Sequence, residues 1–272
     1  MSRHRLRSGV RFVKRAIARG TLVGLLAGCV AAQETTNGIA AADFLLAPLR
    51  VHLLSAASEP AIQTQLTAND VGRILGKVNQ VWAQAGITFY LESLRSEPAQ
   101  QATNYLARAR ADERATLLGL RPKDSLATNC FHVFYLRQIR PNGVYFNAQG
   151  IFVKDTASLR PVPGGLDEPL PRVTAHELGH ALTLAHRQNV TNLLASGMSG
   201  GWLDEAEIGQ AREAARPRPW VETVSAAFKR AEAFRRENKA QAARELYRRL
   251  TFVPLKSGPI LTAQQRLTEL KE

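Results

Sequence analysis

The chain has 272 residues, 45% hydrophobic and 22% charged, with 19 Gly, 13 Pro and 2 Cys. That length and composition suit a globular protein with a sizeable core and exclude collagen-like, disulfide-stapled and fully disordered chains. The formal charge of +13 sits at the ends. Residues 1–28 carry seven basic residues and no acid, and the stretch from Trp220 onward carries 11 basic against 6 acidic residues, which leaves 29–219 at only +1. A body so nearly neutral argues against nucleic acid as a partner. No run of about 18 apolar residues is present to make an ordinary membrane-spanning helix.

The N-terminus joins a basic run to a short apolar one, Thr21 to Gly28, the pattern of a secretory signal peptide. The run ends in Leu26-Ala27-Gly28-Cys29, which resembles the lipobox of bacterial lipoproteins. The resemblance implies removal of residues 1–28, lipid on Cys29 and a membrane-anchored place in the cell envelope. Because residue 30 is not acidic, it implies the outer membrane. The alternative is a plain signal peptide cut after Ala32, which gives a periplasmic or secreted protein. With Cys29 lipidated, Cys130 has no disulfide partner and reads as a small buried hydrophobe in the run Cys130–Leu136.

Residues 29–47, Ala-rich and without period, read as a tether. Leu49–Leu54 alternates as a strand. Thr67 and Asp70 then sign a helix start, Val71, Ile74, Leu75, Val78, Trp82 and Ala85 recur at helical spacing, and Gly86 ends the helix. Ile87–Leu91 is a strand, 97–118 reads as helical, and Phe131–Leu136 is a buried strand. Pro141-Asn142-Gly143 marks a turn, Gly150–Val153 a short strand, and Pro161–Pro171 a loop. Asp204 and Glu207 form a capping box for a helix over 205–215. Helices are expected over 221–238, 240–251 and 262–271, the last opened by Thr262 and Gln265. The spacing in 227–254 resembles a single degenerate tetratricopeptide unit, which cannot bury its face alone, so a helical tail packed on the main domain is expected. The fold class is α+β, a mixed sheet packed by helices with a C-terminal helical segment, divided as 1–28, 29–47, 48–215 and 220–272.

Chemistry concentrates in His176-Glu177-Leu178-Gly179-His180-Ala181-Leu182-Thr183-Leu184-Ala185-His186. Two His at i and i+4 sit about 40° apart on a helix and reach one metal ion. Leu178, Ala181, Leu182 and Ala185 give that helix an apolar face. His186 lies six residues past His180, about 240° around a continuous helix, so the chain must leave the helix for it to join. Three neutral His with an open position make a catalytic Zn2+ site, and Glu177 beside the first ligand is placed as general base. His52 and His132, in strands, read as structural.

This spacing resembles the metzincin metalloproteases, whose motif is His-Glu-x-x-His-x-x-Gly-x-x-His; Val78–Phe89 looks like the first helix and second strand of their matrixin-like catalytic domains. The resemblance covers roughly 48–215. It implies a zinc-dependent peptidase acting on protein or peptide substrates, with one catalytic zinc held by His176, His180 and His186. It makes Ile151–Val153 the edge strand that aligns substrate, and Leu194 or Met198 the floor of a Met-turn. Two departures stand out. The family's Gly is Thr183, where a β-branched residue at positive φ costs about 1–2 kcal/mol, and Leu194 stands where the Met aligns. A rival reading takes Glu205 or Glu207 as third ligand, as in gluzincins. The alternative function is a catalytically inactive zinc-binding envelope lipoprotein acting as a scaffold or binding module.

Overall fold

The computed structural model describes residues 35–270, so the signal segment and the lipidation candidate Cys29 lie outside the described residues. Two short strands, β1 (Thr35–Thr36) and β2 (Ile39–Ala40), pair antiparallel. The chain then alternates β3 (Leu45–Ser55), α1 (Ala68–Trp82), β4 (Ile87–Pro98), α2 (Tyr105–Ala111), α3 (Glu113–Gly119), β5 (Phe131–Leu136), β6 (Gly143–Tyr145), β7 (Ile151–Lys154), α4 (Pro169–Ala181) and α5 (Glu205–Ala215). It closes with β8 (Glu222–Thr223), α6 (Val224–Arg236), α7 (Ala240–Leu250) and α8 (Gly258–Glu269). The sheet order is β4-β3-β5-β7-β6, with β8 added antiparallel to β3. The first four strands are parallel and β6 runs antiparallel to β7. The architecture is a mixed sheet packed by helices.

β3 explains the layering. Leu45, Ala47, Leu49, Val51 and Leu53 face a core shared with α1 and α4, including Trp82, Phe89, Val173 and Leu178. The opposite face is apolar only at its ends. Phe44 and Leu46 meet Val224, Ala227 and Tyr247 of the C-terminal helices, and Leu54 meets Tyr105, Leu117 and Phe134. Between them lies a polar stripe in which Arg50 pairs with Glu92 at 2.8 Å and His52 with Glu97 at 2.5 Å.

Several boundaries differ from the sequence reading. Residues 41–47 are not tether: Ala41, Phe44, Leu45, Leu46 and Ala47 are buried, and the segment shows no alternation because a strand covered on both faces needs none. β4 runs on to Pro98 as the sheet edge, where its outer half is polar, so helix begins only at Tyr105. It breaks at Asp112, whose side chain caps Ala115 N–H at 2.9 Å. The edge strand on the other side is β6, which covers Ile151–Val153 inside the sheet; Gly143-Val144-Tyr145 is too short to signal itself. α4 starts within the Pro-rich segment because Pro169 and Pro171 occupy its first turn, where no intrahelical N–H is needed. α8 starts at Gly258–Pro259 for the same reason, so Thr262 lies inside it.

The described residues belong to one compact unit, and no helix among them is long and apolar enough to cross a membrane. The C-terminal helices are tied in by more than apolar contact. Buried Asn79 on α1 donates through Nδ2 to the carbonyls of Phe89 (2.9 Å) and Phe252 (3.3 Å), and its Oδ1 accepts from Phe89 N–H at 2.8 Å. Asn79→Ala strands these buried partners and is expected to cost about 2–3 kcal/mol in urea unfolding; a loss under about 0.5 kcal/mol would contradict the clamp.

Candidate metal centre

α4 carries the first two histidines. His176 is buried, His180 half-buried and His186 exposed, and one ligand atom of each lies within 4.8 Å of the others. The Nε2 atoms of His176 and His180 are 3.1 Å apart, as are those of His180 and His186. These are not ordinary hydrogen bonds. His176 Nδ1 donates to Leu193 O and His180 Nδ1 to Leu184 O, both at 2.8 Å. A neutral imidazole has one N–H, so the carbonyls fix the tautomers and leave two bare Nε2 lone pairs facing each other. Burial pushes the His176 pKa down to about 3 and lowers that of His180, so both are neutral at ordinary pH. Tetrahedral bonds of about 2.0–2.1 Å would separate nitrogens by about 3.4 Å, close to what is found. The donor set therefore fits a metal ion such as zinc.

His186 arrives because α4 stops at Ala181 and the chain reverses. Thr183 sits at φ +70°, the left-handed conformation the departure from Gly makes costly. Gln210 of α5 offsets it: its Nε2 donates to Thr183 O at 2.7 Å and to Thr183 Oγ1 at 3.3 Å. Beyond His186, Arg187 N–H donates to Leu194 O at 3.1 Å, and Arg187 Nε reaches Glu207 Oε1 at 2.7 Å. Glu207 is fully buried and also accepts from Asn192 Nδ2 at 2.7 Å and Asp204 N–H at 2.9 Å. Its carboxylate is thus spent on holding the third histidine's segment, and Glu205 is exposed; neither belongs to the cluster. Leu194 is buried beneath the helix, its Cδ1 3.2 Å from where a Cβ on Gly179 would stand. Met198 is half-buried and bridges Arg160 instead. Ala185, expected on the apolar face, is exposed because the helix has ended.

Glu177 is 5% exposed and packs against β6: a Cβ on Gly143 would lie 2.9 Å from Glu177 Oε1. Burial pushes its carboxyl up to about 8, with Arg172 pulling the other way; a bound cation would pull it down further. Arg172 stands one helical turn before His176, and no spacing or motif in the sequence marks it. Its guanidinium is 2% exposed, donates to Gly200 O at 3.1 Å and to Ala195 O, and lies 3.1 Å from His176 Nδ1. It ties the loop after His186 to α4, and burial lowers its pKa to about 10. His52 and His132 lie elsewhere, linked to each other at 2.8 Å within the polar stripe. Cys130 is buried and free.

No family model matches the chain, and no curated protein matches it. Among solved structures, metalloproteinase-II from Bacteroides fragilis is similar over 67% of this chain and 56% of that one, at 9% identity and a TM-score of 0.41. The chain thus spans little more than half the length of that neighbour.

The αL turn makes a specific prediction. Thr183→Gly should leave stability unchanged or raise it by up to about 1 kcal/mol, relief of the turn offsetting the entropy of glycine. Gln210→Ala should cost about 1 kcal/mol. Denaturant unfolding checks both, and a loss above about 1 kcal/mol for the glycine variant would contradict a strained turn.

Proposed function

We propose that this chain is a zinc-dependent peptidase, with His176, His180 and His186 as ligands and Glu177 as general base. The observation that carries the reading is the pair of bare Nε2 lone pairs, held toward one point with His186. Bound there, zinc would activate a water and polarise a carbonyl, and three protein ligands leave a position open for both. Glu177 follows His176 directly and packs closely against Gly143, which has no Cβ to displace it. It takes the proton of the attacking water and hands it to the leaving amine. Leu194 keeps the underside of α4 dry, and the Leu193 and Leu184 carbonyls hold the rings. The lowered proton affinity of His176 and His180 favours metal over protons there.

The proposal includes export with lipid on Cys29 and a place in the cell envelope; the Leu-Ala-Gly-Cys run supports that part. Peptide or protein substrates are part of the proposal, and the resemblance of residues 176–186 to the metzincin motif supports them.

The test is metal content and peptide cleavage by the purified chain. About one zinc per protein is expected, lost on replacing His176 or His180 by Ala. Glu177→Gln should keep the zinc while turnover falls about 10²–10⁴-fold. Undiminished cleavage by that variant, or His186→Ala with intact zinc affinity, would contradict the assignment.

A further inference from the structure

A cavity opens beside the C-terminal end of α4, with Ala181 in its wall. Arg218, in the link between α5 and β8, has its guanidinium 4.7 Å from the Phe131 ring centroid and 5.3 Å from that of Trp220, while the two rings meet edge-on at 5.0 Å. Its Nη2 donates to Ala181 O at 2.9 Å and its Nε to Ala214 O at 3.2 Å. Nη1 has no hydrogen-bond partner and no carboxylate pairs with Arg218 among the described residues. The cavity beside it, about 190 Å³, is lined by Arg218, Trp220, Phe131, Tyr145, Cys130 and His132, with no acidic side chain in its wall. Burial lowers the Arg218 pKa.

Two elements measure its place. Ala181, which Arg218 holds, is one helical turn beyond Glu177 on α4, about 6 Å along the axis. Tyr145 stands two residues beyond Gly143 on β6, about 7 Å on and on the same face of the strand. An extended chain reacting beside Glu177 therefore passes the cavity within two or three residues of the cleaved bond.

We propose that this cavity is a specificity pocket for a carboxylate-bearing side chain, Asp or Glu, of the peptide processed at the metal centre. It rests on the peptidase reading for its role, though not for its ligand chemistry. The planar guanidinium is held by two ring faces and two carbonyls, so its remaining N–H edge is pre-aimed and loses little freedom on binding. Apolar walls from Phe131 and Trp220 cover the methylenes of the incoming side chain.

The ligand chemistry is tested first, on the full chain. N-acetyl-glutamate N-methylamide and its glutamine counterpart are titrated while the indole N–H signals of the three Trp are followed by NMR. The glutamate compound should shift Trp220 and bind at least about tenfold tighter than the glutamine one. Arg218→Gln, which keeps a donor for Ala181 O, should abolish the difference while the variant still unfolds cooperatively and keeps the wild-type indole signals of Trp82 and Trp202. Equal binding of the two compounds to the wild type, or shifts confined to Trp202, would overturn the pocket without need of any variant. Cleavage of a random peptide library follows. Enrichment of Asp or Glu at one fixed distance from the cut, lost in Arg218→Gln, supports the role; cleavage without acidic preference overturns it. Glutamate-selective binding with no cleavage of any peptide would sustain the pocket's chemistry and refute the peptidase reading alone.

Discussion

Two imidazole lone pairs pointed at each other across 3.1 Å repel, and a third ring completing the cluster does nothing to relieve them. A fold keeps such an arrangement only where other bonds over-determine it or where a cation fills it. Much of the local architecture around α4 serves this one constraint. Carbonyls of Leu193 and Leu184 claim the Nδ1 protons, Thr183 takes a left-handed turn to bring His186 back, and Gln210 reinforces that turn. Glu207 sits at the centre of the outer support. It is a fully buried carboxylate satisfied by Arg187, Asn192 and Asp204 N–H, and so fixes the segment that follows the third histidine.

The sheet explains why the centre lies where it does. α4 packs on the apolar face of β3, β5 and β7, and the antiparallel edge β6 folds over Glu177 through a residue without a Cβ. The other face of the sheet splits into two apolar clusters separated by the Arg50–Glu92 and His52–Glu97 pairs. The C-terminal helices cover one of these clusters, and the chain reaches them through Arg218 and Trp220. The same link that builds this outer layer thus also walls the cavity beside the metal centre.

The sequence made legible whatever rests on local periodicity and short spacing. Thr67 and Asp70 form the full capping box that opens α1, Gly86 ends that segment at φ +57°, and Phe131–Leu136 is a strand with those bounds. The histidine cluster was readable because its spacing is set by helix geometry and a single reversal. What escaped depends on partners distant in sequence. Residues 41–47 look like linker until both faces of β3 are covered. β6 is three residues long and defined only by pairing with β7. Glu207 carries the residue type of a ligand, and only the arrival of Arg187 and Asn192 reveals its work. Arg172 is invisible as a support because the carbonyls it binds, Ala195 and Gly200, lie 23 and 28 residues away.

The central claim is that the cluster's lone pairs converge on a single ion. Zinc K-edge X-ray absorption on the purified chain measures this without reference to activity. Three nitrogen scatterers at about 2.0–2.1 Å with imidazole multiple scattering, one oxygen neighbour and no sulfur are expected. A sulfur shell near 2.3 Å, or fewer than three imidazoles, would contradict it.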